Sequence, residues 1–173
     1  MGVLVIGLGK LGLPLACTQA KHGIPIYGYD TNVLLMNALE SHEFTTTEPE
    51  CDYREVHLVR SIEQGVRETD MAMVCVQTPE LNPGIMDVSY VNSAVGAIAG
   101  AAGHQYSVII NSTVIPGTAA TLQNTYPKLQ IISNPVWIAL GSVVHDLENP
   151  AVMVIGIEQW WLDGKALLKE LWT

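Results

Sequence analysis

The chain has 173 residues and is acidic, with 8 Lys and Arg against 17 Asp and Glu and a formal net charge of −9 at pH 7. This length suits one domain of ordinary size, so we expect a single compact unit over residues 1–173. The acidic balance, with no basic residue between Arg67 and Lys128, argues against nucleic acid or an anionic membrane surface as a partner.

The first predicted element is a strand, indicated by the apolar, β-branched run from Val3 to Ile6. The glycines Gly7, Gly9 and Gly12 follow it at GxGxxG spacing. In a strand, turn and helix unit the first glycine permits the turn, the second lets a diphosphate approach, and the third lets the helix pack closely on the strand. The free N–H groups at the helix start then hold the anion. This stretch predicts a dinucleotide-binding turn.

The next elements continue the same unit. A helix is predicted over Leu11 to His22, with Gly23 as its C-cap. A second strand is predicted over Ile24 to Tyr29. Together with the first strand, this order is that of a βαβ unit that opens a parallel sheet.

Asp30 closes the second predicted strand, where a carboxylate can accept hydrogen bonds from the hydroxyls of an adenosine ribose. Thr31 and Asn32 follow it, with no arginine to pair a 2′-phosphate, so NAD is favoured over NADP. The alternative is that Asp30 is the N-cap of a helix predicted over Asn32 to Leu39. The glycines in register before it favour the ribose role.

The segment that follows is predicted as a surface connection, because Ser41 to Tyr53 is polar and contains a proline. Val56 to Val59 is predicted as a short strand. Ser61 and Gln64 then form a capping-box pattern for a helix that runs to about Arg67.

Met71 to Val76 is a continuous apolar run, typical of a strand buried on both faces of a parallel sheet. The run ends in Gln77, Thr78 and Pro79, and polar residues at the carboxyl end of such a strand line the ligand crevice. The alternative for Thr78 is turn chemistry before a proline.

A helix capped by Asp87 or Ser89 is predicted next, because small apolar residues recur there at helical spacing and indicate a core face. A strand over Ser107 to Ile110 leads into Asn111, Ser112 and Thr113, and the residues at 116–118 open another helix. In the helix predicted after Asp87 or Ser89, the recurring small apolar residues are Val91, Ala94, Val95, Ile98 and Ala102.

The last part is predicted as a strand over Leu129 to Ile132, a loop to Pro150, a seventh strand over Val152 to Ile155, and a helix from about Glu158. Strands and helices alternate throughout without an internal repeat. The sequence therefore predicts an α/β fold with a doubly wound, mostly parallel sheet of the Rossmann type.

The cysteines, the histidines and the lengths of the apolar runs indicate the compartment and test for a metal site and a membrane span. The spacing of Cys17, Cys51 and Cys75 matches neither a zinc site nor a disulfide framework, so we expect a reducing, cytoplasmic compartment, with Cys17 and Cys75 buried as small apolar side chains. The five histidines show no ligand spacing, which predicts no metal. No apolar run approaches the length of a membrane span, and the start of the chain lacks the basic leader of a signal peptide.

Several stretches, in order, resemble the NAD-binding domain of the UDP-glucose and GDP-mannose dehydrogenase family. The resemblance extends over nearly the whole chain and includes the signatures after the predicted strands. The stretches are Gly7 to Ala16, Tyr27 to Asp30, Glu68 to Pro79, Gly84 to Ala94, Asn111 to Ala119 and Asn134 to Pro150.

The resemblance implies positions for NAD along the chain. The diphosphate would be held by Gly7, Gly9, Lys10, Leu11 and Gly12, and the adenosine ribose by Asp30. Val76, Thr78 and Pro79 would lie along the cofactor, with Ser112 and Thr113 near the nicotinamide. Thr113 is the one candidate catalytic residue that the resemblance leaves, and its alternative role is hydrogen bonding at the end of a strand.

This sequence departs from the family where the family carries chemical groups. Val136 and Leu140 occupy two carboxylate positions of the family motif, and a valine cannot act as a general base. The arginine usual near position 150 is replaced by Ala151 and Val152. The catalytic lysine, asparagine and cysteine of the family and its sugar-nucleotide domain would follow Thr173. Asp146 and Glu148 are interpreted as part of a solvated loop.

Three functions are therefore compared. The first is an NAD-binding protein of this family that cannot complete catalysis alone, and the second is half of a split nucleotide-sugar dehydrogenase that is active with a partner chain. The third is an interaction module that keeps the fold without using NAD. The predicted last helix carries Trp160, Trp161 and Trp172, which either cover the end of the sheet or form a patch for a homodimer or a partner chain.

Overall fold

The computed structural model describes residues 2–48 and 50–157. Strands and helices alternate along this part of the chain, as predicted. The elements are β1 (Val3–Ile6), α1 (Gly12–Lys21), β2 (Ile26–Tyr29), α2 (Val33–Glu40), β3 (His57–Leu58), α3 (Ile62–Glu68), β4 (Met71–Val74), β5 (Glu80–Asn82), β6 (Ile85–Met86), α4 (Ser89–Ala101), β7 (Tyr106–Ile110), α5 (Thr118–Thr125), β8 (Leu129–Ser133) and α6 (Val143–Glu148).

The main sheet has six parallel strands in the order β3-β2-β1-β4-β7-β8. From β1 the chain adds β2 and then β3 on one side of the sheet. It then crosses back to place β4 on the other side of β1 and adds β7 and β8 beyond it, so the strand order reverses between β1 and β4. This confirms the predicted doubly wound α/β fold. In such sheets the ligand crevice lies beyond the carboxyl ends of the strands at the reversal.

The central strands are apolar throughout because both faces of the sheet are covered. Alternate residues of a strand point to opposite faces, so Val3 and Val5 pack with α1 and α6, and Leu4 and Ile6 pack with α3, α4 and α5. All four side chains are buried. The fold therefore holds the end of β1 rigidly at the centre of the molecule.

The prediction of a seventh strand over Val152 to Ile155 is wrong. Of the described residues after Pro150, Gly156 alone pairs with the sheet, through two antiparallel backbone hydrogen bonds to Ser133 of 2.8 and 2.9 Å. The apolar run indicated a strand, but the four residues stay partly exposed and form no ladder. The predicted loop before it contains the helix α6, and the hairpin of β5 and β6 was not predicted.

The segment from Ser41 to Tyr53 is not entirely a surface connection, because it contributes buried residues. Glu48 is 4% exposed, and its carboxylate accepts hydrogen bonds from the backbone N–H groups of Gly141 (2.9 Å) and Val143 (3.0 Å). These N–H groups lie at the start of α6, where the helix itself supplies no partner for them. Glu48 therefore fixes the loop that precedes α6.

Cys17 and Cys51 form a disulfide, with Cα atoms 5.4 Å apart. The interpretation that the cysteine spacing excludes a disulfide is wrong, because Cys51 lies in the segment that folds back onto α1. The bond also removes the cysteine-based argument for a reducing compartment. Cys75 is a free thiol.

Two of the predicted helix starts require correction. Asn32 is the N-cap of α2, since its Oδ1 accepts from the N–H groups of Leu34 (3.1 Å) and Leu35 (3.2 Å), so the alternative that Asp30 caps this helix is wrong. Neither predicted residue caps α4: Val88 holds the cap position, and Asp87 accepts from the N–H of Ser89 at 2.8 Å. Ser61 caps α3 as predicted.

The interpretation of Asp146 and Glu148 as a solvated loop is also wrong. Both residues lie in α6. Asp146 accepts from the N–H of Ala139 at 2.8 Å, and Glu148 pairs with Lys21 of α1 at 2.6 Å. They stabilise local structure.

The predicted last helix, with Trp160, Trp161 and Trp172, lies outside the described residues. In the part that is described, no helix has both the length and the apolar character needed to cross a membrane.

Candidate functional site

A cleft of about 660 Å³ opens at the carboxyl ends of β1, β4 and β7. This volume lies in the range of small-molecule and cofactor sites, roughly 300–1,000 Å³. Two residues of the predicted set stand apart from the cleft wall: Gly12 lies buried behind it, and Pro79 is exposed beside it. The predicted residues that line the cleft are Gly7, Gly9, Lys10, Leu11, Asp30, Val76, Thr78, Ser112 and Thr113.

Gly7 and Gly12 are required by the fold itself. Gly7 has a φ of +92°, in the left-handed region, and a Cβ there would lie 2.7 Å from the carbonyl oxygen of Cys75. A Cβ on Gly12 would lie 1.7 Å from the carbonyl oxygen of Gly7. Any side chain at either position would therefore displace the backbone of the turn.

Gly9 has no such requirement within the described structure. A Cβ built on it meets no described atom within 4 Å, and its φ is outside the left-handed region. The residue is exposed on the wall of the cleft. Packing and backbone conformation therefore leave its lack of a side chain unexplained, whereas a ligand that passes close to its Cα explains it.

The N-terminus of α1 points into the same region of the cleft. No side chain caps this helix, and its first turn carries no acidic residue. The first N–H groups of a helix have no partner within the helix, and its dipole places about half a positive charge there. Lys10 adds an exposed ammonium group to the same turn. This end of the cleft is therefore suited to an anion.

Asp30 sits half-buried at the end of β2, on the cleft wall. Its Oδ2 accepts from the N–H of Leu8 (2.7 Å) and its Oδ1 from the N–H of Asn32 (2.8 Å). A carboxylate has about four acceptor positions, so each oxygen keeps capacity for another donor. Asp30 therefore holds the glycine turn in place and can still accept from ribose hydroxyls.

The other end of the cleft is formed where β4 and β7 finish. The Ser112 hydroxyl donates to the carbonyl oxygen of Val76 at 2.7 Å, and the Thr78 hydroxyl donates to that of Thr113 at 2.8 Å. These bonds join the two strand ends directly. The Thr78 hydroxyl thus bridges two strand ends instead of closing a local turn, and Thr113 is exposed at the cleft wall.

Sequence reasoning missed several residues that line the cleft. Tyr29, Cys75 and Asn111 stand at or just beyond the carboxyl ends of strands, which is a signal that could have identified them. Ile62, Tyr90 and Ser93 come from α3 and α4 and carried no such signal, since only the tertiary fold brings α3 beside β1 and α4 beside β4.

Neither Cys75 nor Val136 supplies the described part of the cleft with a nucleophile or a general base. Cys75 directly follows β4 instead of lying within a strand, and burial raises the pKa of its thiol to about 12, so it is protonated at neutral pH. Val136, at a position where the resemblance implies a carboxylate, lines the cleft. Leu140, at the second such position, is 65% exposed and does not line the cleft. Among the described wall residues, Asp30 is the only carboxylate. The described residues also contain no group of three side chains that could hold a metal ion.

Comparison with known protein families gives a match over the full length. The family described as UDP-glucose/GDP-mannose dehydrogenase family, NAD binding domain, matches residues 1–173. A UDP-N-acetyl-D-mannosamine dehydrogenase of Methanococcus maripaludis is 30% identical over 166 residues, covering 91% of this chain and 39% of that relative. UDP-glucose 6-dehydrogenase 4 of Arabidopsis thaliana is 29% identical over 174 residues, covering 89% of this chain and 36% of that relative.

Solved structures share the fold of this chain. A ternary complex of GDP-mannose dehydrogenase from Pseudomonas aeruginosa has a TM-score of 0.86 at 20% identity, with 99% of this chain and 44% of that chain covered. A UDP-glucose dehydrogenase from Pyrobaculum islandicum has a TM-score of 0.85 at 26% identity, with 98% and 43% covered. The chain thus spans about two fifths of the length of the relatives that it matches.

Proposed function

Because the chain belongs to the UDP-glucose/GDP-mannose dehydrogenase family, as its NAD-binding domain, we propose that it binds NAD in the cleft beyond β1, β4 and β7. Gly9 is the observation that carries this proposal. It is an exposed glycine on the wall of a cleft at a helix N-terminus, with open space at its Cβ position and a φ outside the left-handed region. A diphosphate that passes against the bare Cα supplies the missing reason for glycine.

The proposed pose follows the sheet order. The diphosphate lies against Gly9, with the N–H groups and the Lys10 ammonium at the start of α1 as its donors. The adenosine half lies over β2, with its ribose on Asp30. The nicotinamide half lies over β4 and β7, beside Val76, Thr78 and Ser112. Thr113, exposed at this end, is the proposed catalytic residue, through its hydroxyl.

We expect the Asp30→Ala change to weaken NADH binding by about 1.5–3 kcal/mol, the contribution of a hydrogen bond to a charged group. Isothermal titration calorimetry measures the change. Ala also removes the acceptors for the N–H groups of Leu8 and Asn32, so Asp30→Asn is the comparison variant, because its one amide oxygen keeps an acceptor for Leu8. Asn removes the charge that opposes a 2′-phosphate, so Asp30→Asn should raise NADPH affinity relative to NADH. Unchanged NADH binding in both variants would remove Asp30 from the site.

We further propose that residues 1–173 do not complete oxidation of a sugar nucleotide alone. When bound, NAD would accept a hydride, but the described cleft offers no carboxylate at Val136 and no ionised thiol at Cys75. We expect no NADH production from NAD with UDP-glucose, GDP-mannose or UDP-N-acetylmannosamine, followed at 340 nm. The matched positive control is a full-length relative under the same conditions. Steady NADH formation by this chain would contradict the proposal.

The second candidate is a split enzyme, in which a partner chain supplies the missing groups; a homodimer of this chain would cover the same surface without supplying them. Trp137 and Leu140 favour it, because these large apolar side chains are 55% and 65% exposed in the segment that carries Val136 to the cleft. Sedimentation equilibrium distinguishes a dimer from a monomer. We propose the cytoplasm as the compartment, since NAD is available there, although the Cys17–Cys51 disulfide is more typical of an oxidising one.

A further inference from the structure

Asn111 is a buried polar residue at the edge of the cleft. It follows β7, is 1% exposed and contributes to the cleft wall. Its side-chain Nδ2 donates to both oxygens of Asn134, the carbonyl oxygen at 3.0 Å and Oδ1 at 3.2 Å. The Nδ2 of Asn134 donates in turn to the carbonyl oxygen of Val154 at 3.0 Å.

This chain of hydrogen bonds fixes which way the Asn111 amide faces. Asn134 uses its NH₂ group on Val154, so it presents an oxygen to its neighbour. Asn111 must then present its NH₂ group to Asn134, because two facing oxygens would repel. The oxygen Oδ1 of Asn111 is thereby left as its free end.

Oδ1 of Asn111 has no hydrogen-bond partner within the described structure. Burying an acceptor without a partner destabilises a protein, and such atoms are rare in native proteins. The other buried oxygen of this kind, Oε1 of Gln19, belongs to α1 and lies away from the cleft wall. Asn111 is therefore the unsatisfied acceptor whose position suits a ligand in the cleft.

The position of β7 in the sheet narrows the choice of partner. Asp30 ends β2, on one side of β1, while Asn111 follows β7 on the far side of β4. A dinucleotide held across β1 by its diphosphate, with its adenosine on the Asp30 side, brings its second nucleoside to Asn111. At that end the NH₂ group of a nicotinamide carboxamide is a pure donor, and Oδ1 is a pure acceptor.

We propose that Asn111 positions the nicotinamide by accepting a hydrogen bond from its carboxamide NH₂ group. The bond sets the rotation of the ring about its glycosidic bond and therefore the ring face turned toward the cleft opening. The proposal rests on the proposed function, since it places a group of the same cofactor. Asn111 acts here as a positioning residue and takes no part in bond breaking.

The test compares NAD with 3-acetylpyridine adenine dinucleotide, in which a methyl group replaces the carboxamide NH₂. Wild type should bind NAD roughly five to ten times more tightly than the analogue, the effect of one neutral hydrogen bond. Asn111→Leu should bind the two with equal affinity, because the acceptor is gone. This comparison of ratios isolates the NH₂–Oδ1 pair from any general effect of the substitution.

ADP-ribose, which has no nicotinamide, is the control ligand and should bind wild type and Asn111→Leu equally. If Asn111→Leu does not fold, as judged by circular dichroism, Asn111→Ala, which also lacks a side-chain acceptor, replaces it in the same comparison. Equal binding of NAD and the analogue by wild type, or an unchanged ratio in the folded variant, would overturn the role of Asn111. Failure of wild type to bind both NAD and ADP-ribose would instead overturn the proposed function, and this inference with it.

Discussion

Replacing Gly9 with alanine is expected to weaken NADH binding by roughly 5- to 150-fold and to leave the midpoint of urea unfolding unchanged. The added methyl group meets no described protein atom within 4 Å, so the fold accepts it. It does occupy the surface on which the diphosphate is proposed to lie. Forcing a methyl group into a close contact costs about 1–3 kcal/mol, or roughly 5- to 150-fold in affinity.

Gly12→Ala is the matched control. It adds the same methyl group to the same turn, but at a position where the methyl group is expected to lower stability. Its Cβ would lie 1.7 Å from the carbonyl oxygen of Gly7, so the turn must distort. We expect the free energy of unfolding to fall by about 3 kcal/mol or more, measured by urea denaturation. If Gly9→Ala bound NADH as tightly as wild type does, a bound ligand would not explain the glycine at position 9, and the proposed pose would be wrong.

Reduction of the Cys17–Cys51 disulfide is expected to lower the free energy of unfolding by about 3–4 kcal/mol. The bond joins residues 34 positions apart, and closing a loop of this length restricts the unfolded chain by about that amount. It also holds the segment of Glu48 against α1, which adds native contacts. Urea denaturation with and without a thiol reductant measures the difference.

The control for this prediction is the double variant Cys17→Ala with Cys51→Ala, whose stability should not respond to the reductant. Cys75 remains in both proteins, so any effect of the reductant on that thiol is common to them. Thiol titration of the denatured, unreduced protein should find one free thiol. Three free thiols, or equal stability with and without reductant, would show that the disulfide does not form in solution.

The part of the fold that sequence could predict is the part encoded locally. The run from Val3 to Ile6 and the glycines after it specify a strand and its turn, because backbone sterics allow few alternatives there. The register of Asp30 after this turn then placed it on the cleft wall. Ser61 capped α3 as predicted for the same reason, since a cap is a contact between near neighbours.

The features that sequence could not predict depend on distant contacts. Glu48 binds the start of α6 more than 90 residues away, and Cys51 meets Cys17 only because its segment folds back on α1. The orientation of Asn111 depends on Asn134, which follows the neighbouring strand β8, and through Asn134 on Val154, which lies outside the sheet. The apolar run at 152–155 shows the converse: a strand pattern that finds no neighbouring strand does not form a ladder.

The most direct test of the central claim is a calorimetric titration of NADH into the wild-type chain. We expect saturable binding of one NADH per chain, which ADP-ribose competes away because both occupy the cleft beyond β1. Absence of binding at millimolar NADH would contradict the claim and would favour a protein that keeps this fold for interaction alone.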